Sequence, residues 1–311
     1  MKKFKQKIGR SVLFQKLISS FLYNELLTFL KWNRFRPLNS NPHGHFYSPV
    51  VSRVEIDQLE KQIWKDQHVS SITGIELNID KQLILVDEFS RYYSDLPFSP
   101  TKGDKTRYYY ENVSYSYTDA IMLYSFIRHF KPKRIIEVGS GFSSALMLDT
   151  RELFDMDIDL TFIEPYPRSL KSLLRDNDKK NCKILESKVQ NINVETFSFL
   201  EANDILFIDS SHVAKTGSDV NYEVFKILPA LNSGVLVHFH DIFYPFEYPK
   251  EWVYGGKNWN ESYLLHAFLS YNYQFEILLF SDFIHKHHKS AFGMMPLTYK
   301  NTGGSLWMRK K

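Results

Sequence analysis

Apolar residues along this chain follow two regimes. Up to about residue 105 they recur at helical spacing between loops. From Tyr117 onward short apolar runs alternate with amphipathic segments, and most runs end in a polar or acidic residue. The pattern predicts a helix over Asp119–His129, then a strand over Arg134–Val138 introduced by Lys131-Pro132-Lys133. A helix from Ser143 to Leu153 and a strand over Asp159–Ile163 follow, then a helix over Pro167–Arg175 and a third strand over Cys182–Glu186. The fourth strand is Asp204–Ile208, the next helix runs through Tyr222 to Leu231, and the fifth strand is Gly234–Phe239. Strands spaced by helices in this way imply β-α-β units, hence an α/β doubly wound parallel sheet with helices on both faces. After the fifth strand the alternation stops. Tyr273–Phe280 and Ser305–Arg309 read as a closing C-terminal β-hairpin, joined by a loop that carries Gly293, Pro296 and Gly303-Gly304.

The first 105 residues read as a mixed, largely helical accessory region on the substrate side, with the main domain over 106–311. Loops are predicted at Pro37–Pro49 and around Phe98–Gly103, and a helix over Val54–Trp64. Lys2, Lys3, Lys5, Lys7 and Arg10 precede apolar pairs at helical spacing as far as Phe29-Leu30. Gln15, Lys16, Asn24 and Glu25 break that run, which argues against a membrane span. No small-residue cleavage site closes it, which argues against a signal peptide. Residues 1–32 are expected to form a basic amphipathic helix that docks on the main domain or lies on a membrane surface.

Composition narrows the classes. The 311 residues carry a net charge of +4 with mixed signs, too mild for a nucleic-acid partner, and the hydrophobic fraction of 43% supports a sizeable core. Cys182 is the only cysteine, so a disulfide framework and a cysteine zinc site are excluded and a reducing cytoplasm fits.

The most informative stretch is Arg134-Ile-Ile-Glu137-Val-Gly139-Ser140-Gly141-Phe142-Ser143-Ser144. A strand ends in an acid, and two glycines flank one small residue before a helix, which is how open α/β sheets bring backbone to a ligand. Glu137-Val-Gly139-Ser-Gly141 resembles the first motif of class I S-adenosylmethionine-dependent methyltransferases, whose sheet is Rossmann-like with five parallel strands and a closing hairpin. The resemblance covers residues 117–311. It implies that Gly139, Ser140 and Gly141 run under the methionine part of the cofactor, with Ser144 beginning the helix behind them. Glu137 would support the turn or the cofactor's ammonium. Glu164, 23 residues after Gly141, would accept the ribose hydroxyls. Ser187 and Lys188 stand at the usual adenine-contact position, where the family often has an acid. Asp209 would face cofactor and acceptor together.

Asp209 ends the fourth strand and Asp241 follows the fifth, so the two carboxylates converge on one crevice, as a hard divalent cation requires. In metal-dependent O-methyltransferases of this fold, acids at these strand ends hold Mg²⁺. The branch acting on macrolide sugars resembles this chain in its Asp-x-x-His at the fourth strand and its acidic pair at the fifth. Here the first of that pair is His240, an imidazole that suits softer divalent ions better. The resemblance thus implies a metal set of Asp209, His240 and Asp241 for Mg²⁺ or another divalent cation. His212 is the candidate general base, because a hydroxyl must lose its proton as it attacks the methyl sulfonium.

Other signals are weighed against these. His238 is expected in the core, and His285–His288 in a solvated loop. His43 and His45 lie in a candidate substrate-side loop. Tyr108, Tyr109, Tyr110, Tyr115 and Tyr117 read as packing between regions or as a sugar-stacking rim. Tyr244, Phe246 and Tyr248 are expected to overhang the acceptor as a lid, in a segment where Trp252 and Trp259 flank Gly255-Gly256. The expected activity is methyl transfer to a hydroxyl of a small acceptor, a sugar or glycan intermediate, with no nucleic-acid partner. Peripheral membrane contact through residues 1–32 and a homo-oligomer are compatible with it. Two other readings stay open. One is a non-catalytic, degenerate methyltransferase fold, which His240 supports. The other is a nucleotide-dependent dehydrogenase or epimerase, supported by Tyr222-x-x-x-Lys226 and opposed by Ser144 in place of the third fingerprint glycine.

Overall fold

The computed structural model describes residues 40–65 and 68–311. The expected amphipathic helix over residues 1–32 lies outside the described residues. Contacts divide the chain into two compact units, residues 1–56 and 57–311. In the first, Gly44 turns the chain at φ +78° and donates its N–H to the Val50 carbonyl at 2.8 Å. Ser52 then begins a helix, α1 (Arg53–Ile63), through a capping box: the Glu55 N–H donates to Ser52 Oγ at 3.2 Å, and the Ser52 N–H to the Glu55 carboxylate at 3.4 Å.

The second unit is built on seven strands in the order β3-β2-β1-β4-β5-β7-β6. These are β1 (Arg134–Val138), β2 (Asp159–Ile163), β3 (Lys183–Leu185), β4 (Ile205–Ile208), β5 (Leu236–Phe239), β6 (Phe275–Phe280) and β7 (Leu306–Lys310). The first five pair in parallel, and β7 runs antiparallel to both β5 and β6. β4 and β5 are buried along their whole length, as apolar strands covered on both faces must be. Chain order reverses at β1, which has β2 on one side and β4 on the other, so a crevice opens beyond their carboxyl ends.

Helices α2 (Ile79–Ser90), α3 (Tyr117–Phe130), α4 (Phe142–Leu153), α5 (Arg168–Leu173), α6 (Asp219–Tyr222), α7 (Glu261–Leu269) and α8 (Ser281–His287) surround the sheet with shorter turns. α6 continues through a π-helical turn at Glu223–Ile227 into Leu228–Ala230. α3 is buried from Tyr117 to Ile127, and its Phe126 stacks on Trp307 of β7 at 3.8 Å. α2 reaches the same sheet through buried Gln82, whose Oε1 accepts the Phe280 N–H at 2.7 Å. Among the described residues no helix is long and apolar enough to cross a membrane.

Three local expectations are corrected. The link from β6 to β7 contains α8, because Phe283 and Ile284 have apolar surface to bury there. His285 is consequently buried, 3.3 Å from Thr118 Oγ1 and stacked on Phe292, so it is no solvated loop residue. Tyr244, Phe246 and Tyr248 point inward and are almost fully buried, which removes them as an overhanging lid. His238 is a core residue as expected, stacked on Phe207 at 4.0 Å and tilted against Trp307, and burial holds its pKa well below the usual value.

Candidate active site at the strand ends

Glu137, the penultimate residue of β1, is fully buried under the glycine loop and accepts the Ser143 hydroxyl at 2.6 Å and the Ser144 hydroxyl beside it. Burial pushes its carboxyl up to about 8, against the pull of the two serines. Ser144 Oγ in turn accepts the Gly141 N–H at 3.0 Å, so acid, loop and first turn of α4 form one unit. Gly139 sits at φ +81°, and a Cβ there would stand 1.8 Å from the Asp209 carbonyl oxygen. A bare backbone is the only solution where β1 and β4 exit so close together. Gly141 faces open space.

Beyond the loop lies a cavity of about 190 Å³, lined by Tyr115, Gly139, Ser140, Gly141, Glu164 and Asp209 together with Ser114, Phe142, Ser143 and Ser169. Glu164 bridges two elements there, its Oε2 accepting the Ser140 N–H at 3.3 Å and its Oε1 the Tyr166 N–H at 2.7 Å. The structure brings Gly139, Ser140, Gly141, Glu164 and Asp209 into one wall. Ser187 and Lys188, just past β3, do not line that cavity. Ser114, Tyr115 and Ser169 do, although none of them stands at a strand end in the sequence. A larger groove of about 1210 Å³ runs past Arg134, Asp159 and Thr161 and the 175–182 segment; it holds none of the strand-end residues.

Asp209, His212 and Asp241 meet beside the cavity. His212 Nε2 lies 3.3 Å from Asp209 Oδ1 and 3.8 Å from Asp241 Oδ2. Burial works to raise the Asp209 carboxyl, but the charges of His240 and His212 and a hydrogen bond from His212 hold it below its ordinary value. Burial likewise pulls His212 down, yet the hydrogen bonds and charges of Asp209 and Glu261 raise it to about 11. One ligand atom from each of Asp209, His212 and Asp241 falls within 4.8 Å of the others, so two carboxylates and an imidazole can share one ion. That donor set fits a divalent cation. His240 stays outside it. Its Nε2 is 3.5 Å from Asp241 Oδ1, its ring lies 5.0 Å from Tyr115, and its Nδ1 has no partner. Glu261, buried at the start of α7, bonds His212 Nδ1 at 2.9 Å and carries no strand-end signature in the sequence.

Residues 136–242 match the family model described as a methyltransferase domain. An uncharacterized protein from Archaeoglobus fulgidus is 34% identical over 169 residues, covering 53% of this chain and 75% of that protein. Among solved structures, the SAH-bound methyltransferase PaMTH1 of Podospora anserina is 17% identical with a TM-score of 0.43, over 84% of this chain and 97% of that chain. The O-methyltransferase TomG of Streptomyces achromogenes, solved with SAM, is 15% identical with a TM-score of 0.43, over 82% and 99%.

Proposed function

The chain carries a class I S-adenosylmethionine-dependent methyltransferase domain, and on that premise we propose that it moves the cofactor's methyl group to a hydroxyl of a small acceptor. The observation that carries this reading is the meeting of Asp209, His212 and Asp241 beside the glycine-lined cavity. In that cavity Glu164 would hold the cofactor's ribose and Gly139–Gly141 its methionine end, with Glu137 behind the loop and Asp209 on the lining beside them. Residues 106–311 form the domain that does this, and residues 1–105 serve the acceptor side. The likeness of Asp209-x-x-His212 to the branch acting on macrolide sugars supports a sugar or glycan-linked acceptor by family analogy.

His212 takes the proton, with a divalent ion held by Asp209 and Asp241 and not by the imidazole, because an Nε2 bound to a metal has no lone pair left for a proton. The acceptor oxygen forms a bond to the methyl carbon, the carbon–sulfur bond breaks to leave a neutral thioether, and the hydroxyl proton passes to Nε2. A histidine that keeps its own proton to pH about 11 cannot do this, so the negative charge of Asp209 and Asp241 must be offset first. A divalent cation on those two carboxylates would offset it and would lower the pKa of an acceptor hydroxyl.

The test is methyl transfer from labelled S-adenosylmethionine to a panel of nucleotide-sugar and lipid-linked sugar acceptors, with Mg²⁺, with Mn²⁺ and with a chelator. Turnover is expected with a divalent ion and lost with the chelator. Glu164→Ala should weaken cofactor binding by about 1–3 kcal/mol through lost charge-assisted hydrogen bonds. His212→Ala should lower kcat by about 10²–10⁴-fold at unchanged cofactor affinity. Calorimetry that finds no cofactor bound to the wild type, or a nicotinamide cofactor preferred, would overturn the reading.

A further inference from the structure

Three consecutive residues at the entrance to α7 grip His212. The N–H groups of Asn260 and Glu261 both donate to the His212 carbonyl, at 3.1 and 3.2 Å. The Asn260 side chain pairs with the Ala214 backbone in both directions, accepting its N–H at 2.6 Å and donating to its carbonyl at 3.1 Å. The Trp259 ring lies 4.3 Å from the imidazole. His212 itself holds φ +58°, a left-handed conformation that persists in a non-glycine residue when its surroundings over-determine it. Against that frame Glu261, 1% exposed, places Oε2 2.9 Å from Nδ1. An imidazole donating Nδ1–H to a carboxylate presents Nε2 on the opposite edge. Here that edge faces Asp209 and Asp241.

We infer that Glu261 is a positioning residue for methyl transfer: it fixes the His212 ring and its Nδ1–H, so that Nε2 is the nitrogen offered to the acceptor hydroxyl. The inference rests on the proposed role of His212 as proton acceptor. During transfer the acceptor proton goes to Nε2, while Nδ1–H stays in its bond to Glu261. Without the carboxylate the ring is free to turn or to adopt the other tautomer, a defect that costs turnover and spares the cofactor cavity. Neither the glycine loop nor Glu164 touches Glu261, so cofactor affinity and Glu261 are separable.

Glu261→Gln keeps the size of the side chain and removes its charge. Two readouts test it in the full-length protein with Mg²⁺: the low-field proton NMR spectrum, and kcat and KM for methyl transfer from labelled S-adenosylmethionine to a nucleotide sugar of that panel as probe acceptor. The wild type should show a proton far downfield of the amide region, absent from both Glu261→Gln and His212→Asn. kcat should fall by roughly 10²–10⁴-fold with KM and cofactor affinity unchanged, the pattern of a base held wrongly. In a His212→Asn background, Glu261→Gln should cost nothing more, because residues acting as one unit are not additive. A structural role would multiply the two losses. If Glu261→Gln fails to fold, Glu261→Asp carries the same test, since it keeps the charge and loses the reach. A downfield proton that survives the substitution, or losses that multiply, overturns the inference alone. Absence of cofactor binding in the wild type overturns the proposed function, and the inference with it.

Discussion

At the scale of single residues, the two glycines of the loop do different work. Gly139 combines φ +81° with a Cβ position 1.8 Å from the Asp209 carbonyl, whereas a Cβ on Gly141 meets nothing within 4 Å. Gly139→Ala should therefore damage the fold itself, by about 3 kcal/mol from the left-handed backbone and the overlap together. Gly141→Ala should keep the wild-type unfolding midpoint, because its methyl group meets nothing within 4 Å, and under the proposed function it should weaken cofactor binding, because Gly141 lines the cavity. Urea unfolding and calorimetry on the two variants separate these effects, and equal unfolding midpoints would show the Gly139 argument to be wrong. The sequence showed that glycines were needed at this turn. Which one answers to β4 and which to the cavity depends on where Asp209 falls, 70 positions after Gly139.

At the scale of elements, the segment before α3 is tied to α4 by one buried cation. The Arg107 guanidinium bonds Asp178 through Nε at 2.8 Å and Nη2 at 2.6 Å, and through Nη1 reaches Asp149 at 2.6 Å and Glu152 at 2.7 Å. Its side chain is 3% exposed, and Asp149 and Asp178 are as deeply buried. Taking the cation away leaves two buried carboxylates with no counter-charge there beyond the backbone N–H groups of Tyr108 and Arg175. Arg107→Ala should thus destabilise the protein by about 3–5 kcal/mol, read from denaturant midpoints, while mutating the half-exposed Glu152 should cost little. A midpoint unchanged in Arg107→Ala would sink this account. None of it was visible in the sequence, since neither spacing nor periodicity relates position 107 to 149 or 178. The helix α8 was missed for a similar reason: a histidine- and lysine-rich segment reads as solvated until Phe283 and Ile284 find a core to enter.

At the scale of the whole molecule, Glu137 couples global stability to pH. A free glutamate titrates near 4.5, and in the fold this carboxyl is held up to about 8 by burial. Below pH about 4.5 both folded and unfolded chains keep the proton, and the contribution of the protonated side chain is fully present. As pH rises the unfolded chain releases its proton first, so this stability is lost progressively until about pH 8 and then levels off. Relative to Glu137→Gln, the wild type should lose on the order of 3 kcal/mol of unfolding free energy between about pH 5 and about pH 8. Urea unfolding of both proteins at the two pH values measures the difference. Parallel profiles would mean that Glu137 is ionised in the fold throughout.

What the sequence determined by itself was everything that depends on local pattern. Alternating apolar runs and helices produced the parallel strands, and the acids and glycines at their ends marked the edge of the sheet that carries the candidate site. Side chains at strand ends are legible because a strand's direction and its terminus are both local properties. The tertiary structure alone decided which distant residues gather at the candidate site. It brought Glu261, 49 positions after His212, against Nδ1, placed Tyr115 in the cavity wall, set His212 with Asp209 and Asp241, and left His240 behind them. Those choices follow from how helices and loops dock on the sheet. Docking is governed by buried area and the pairing of buried polar groups across the whole core, which no short window of sequence contains.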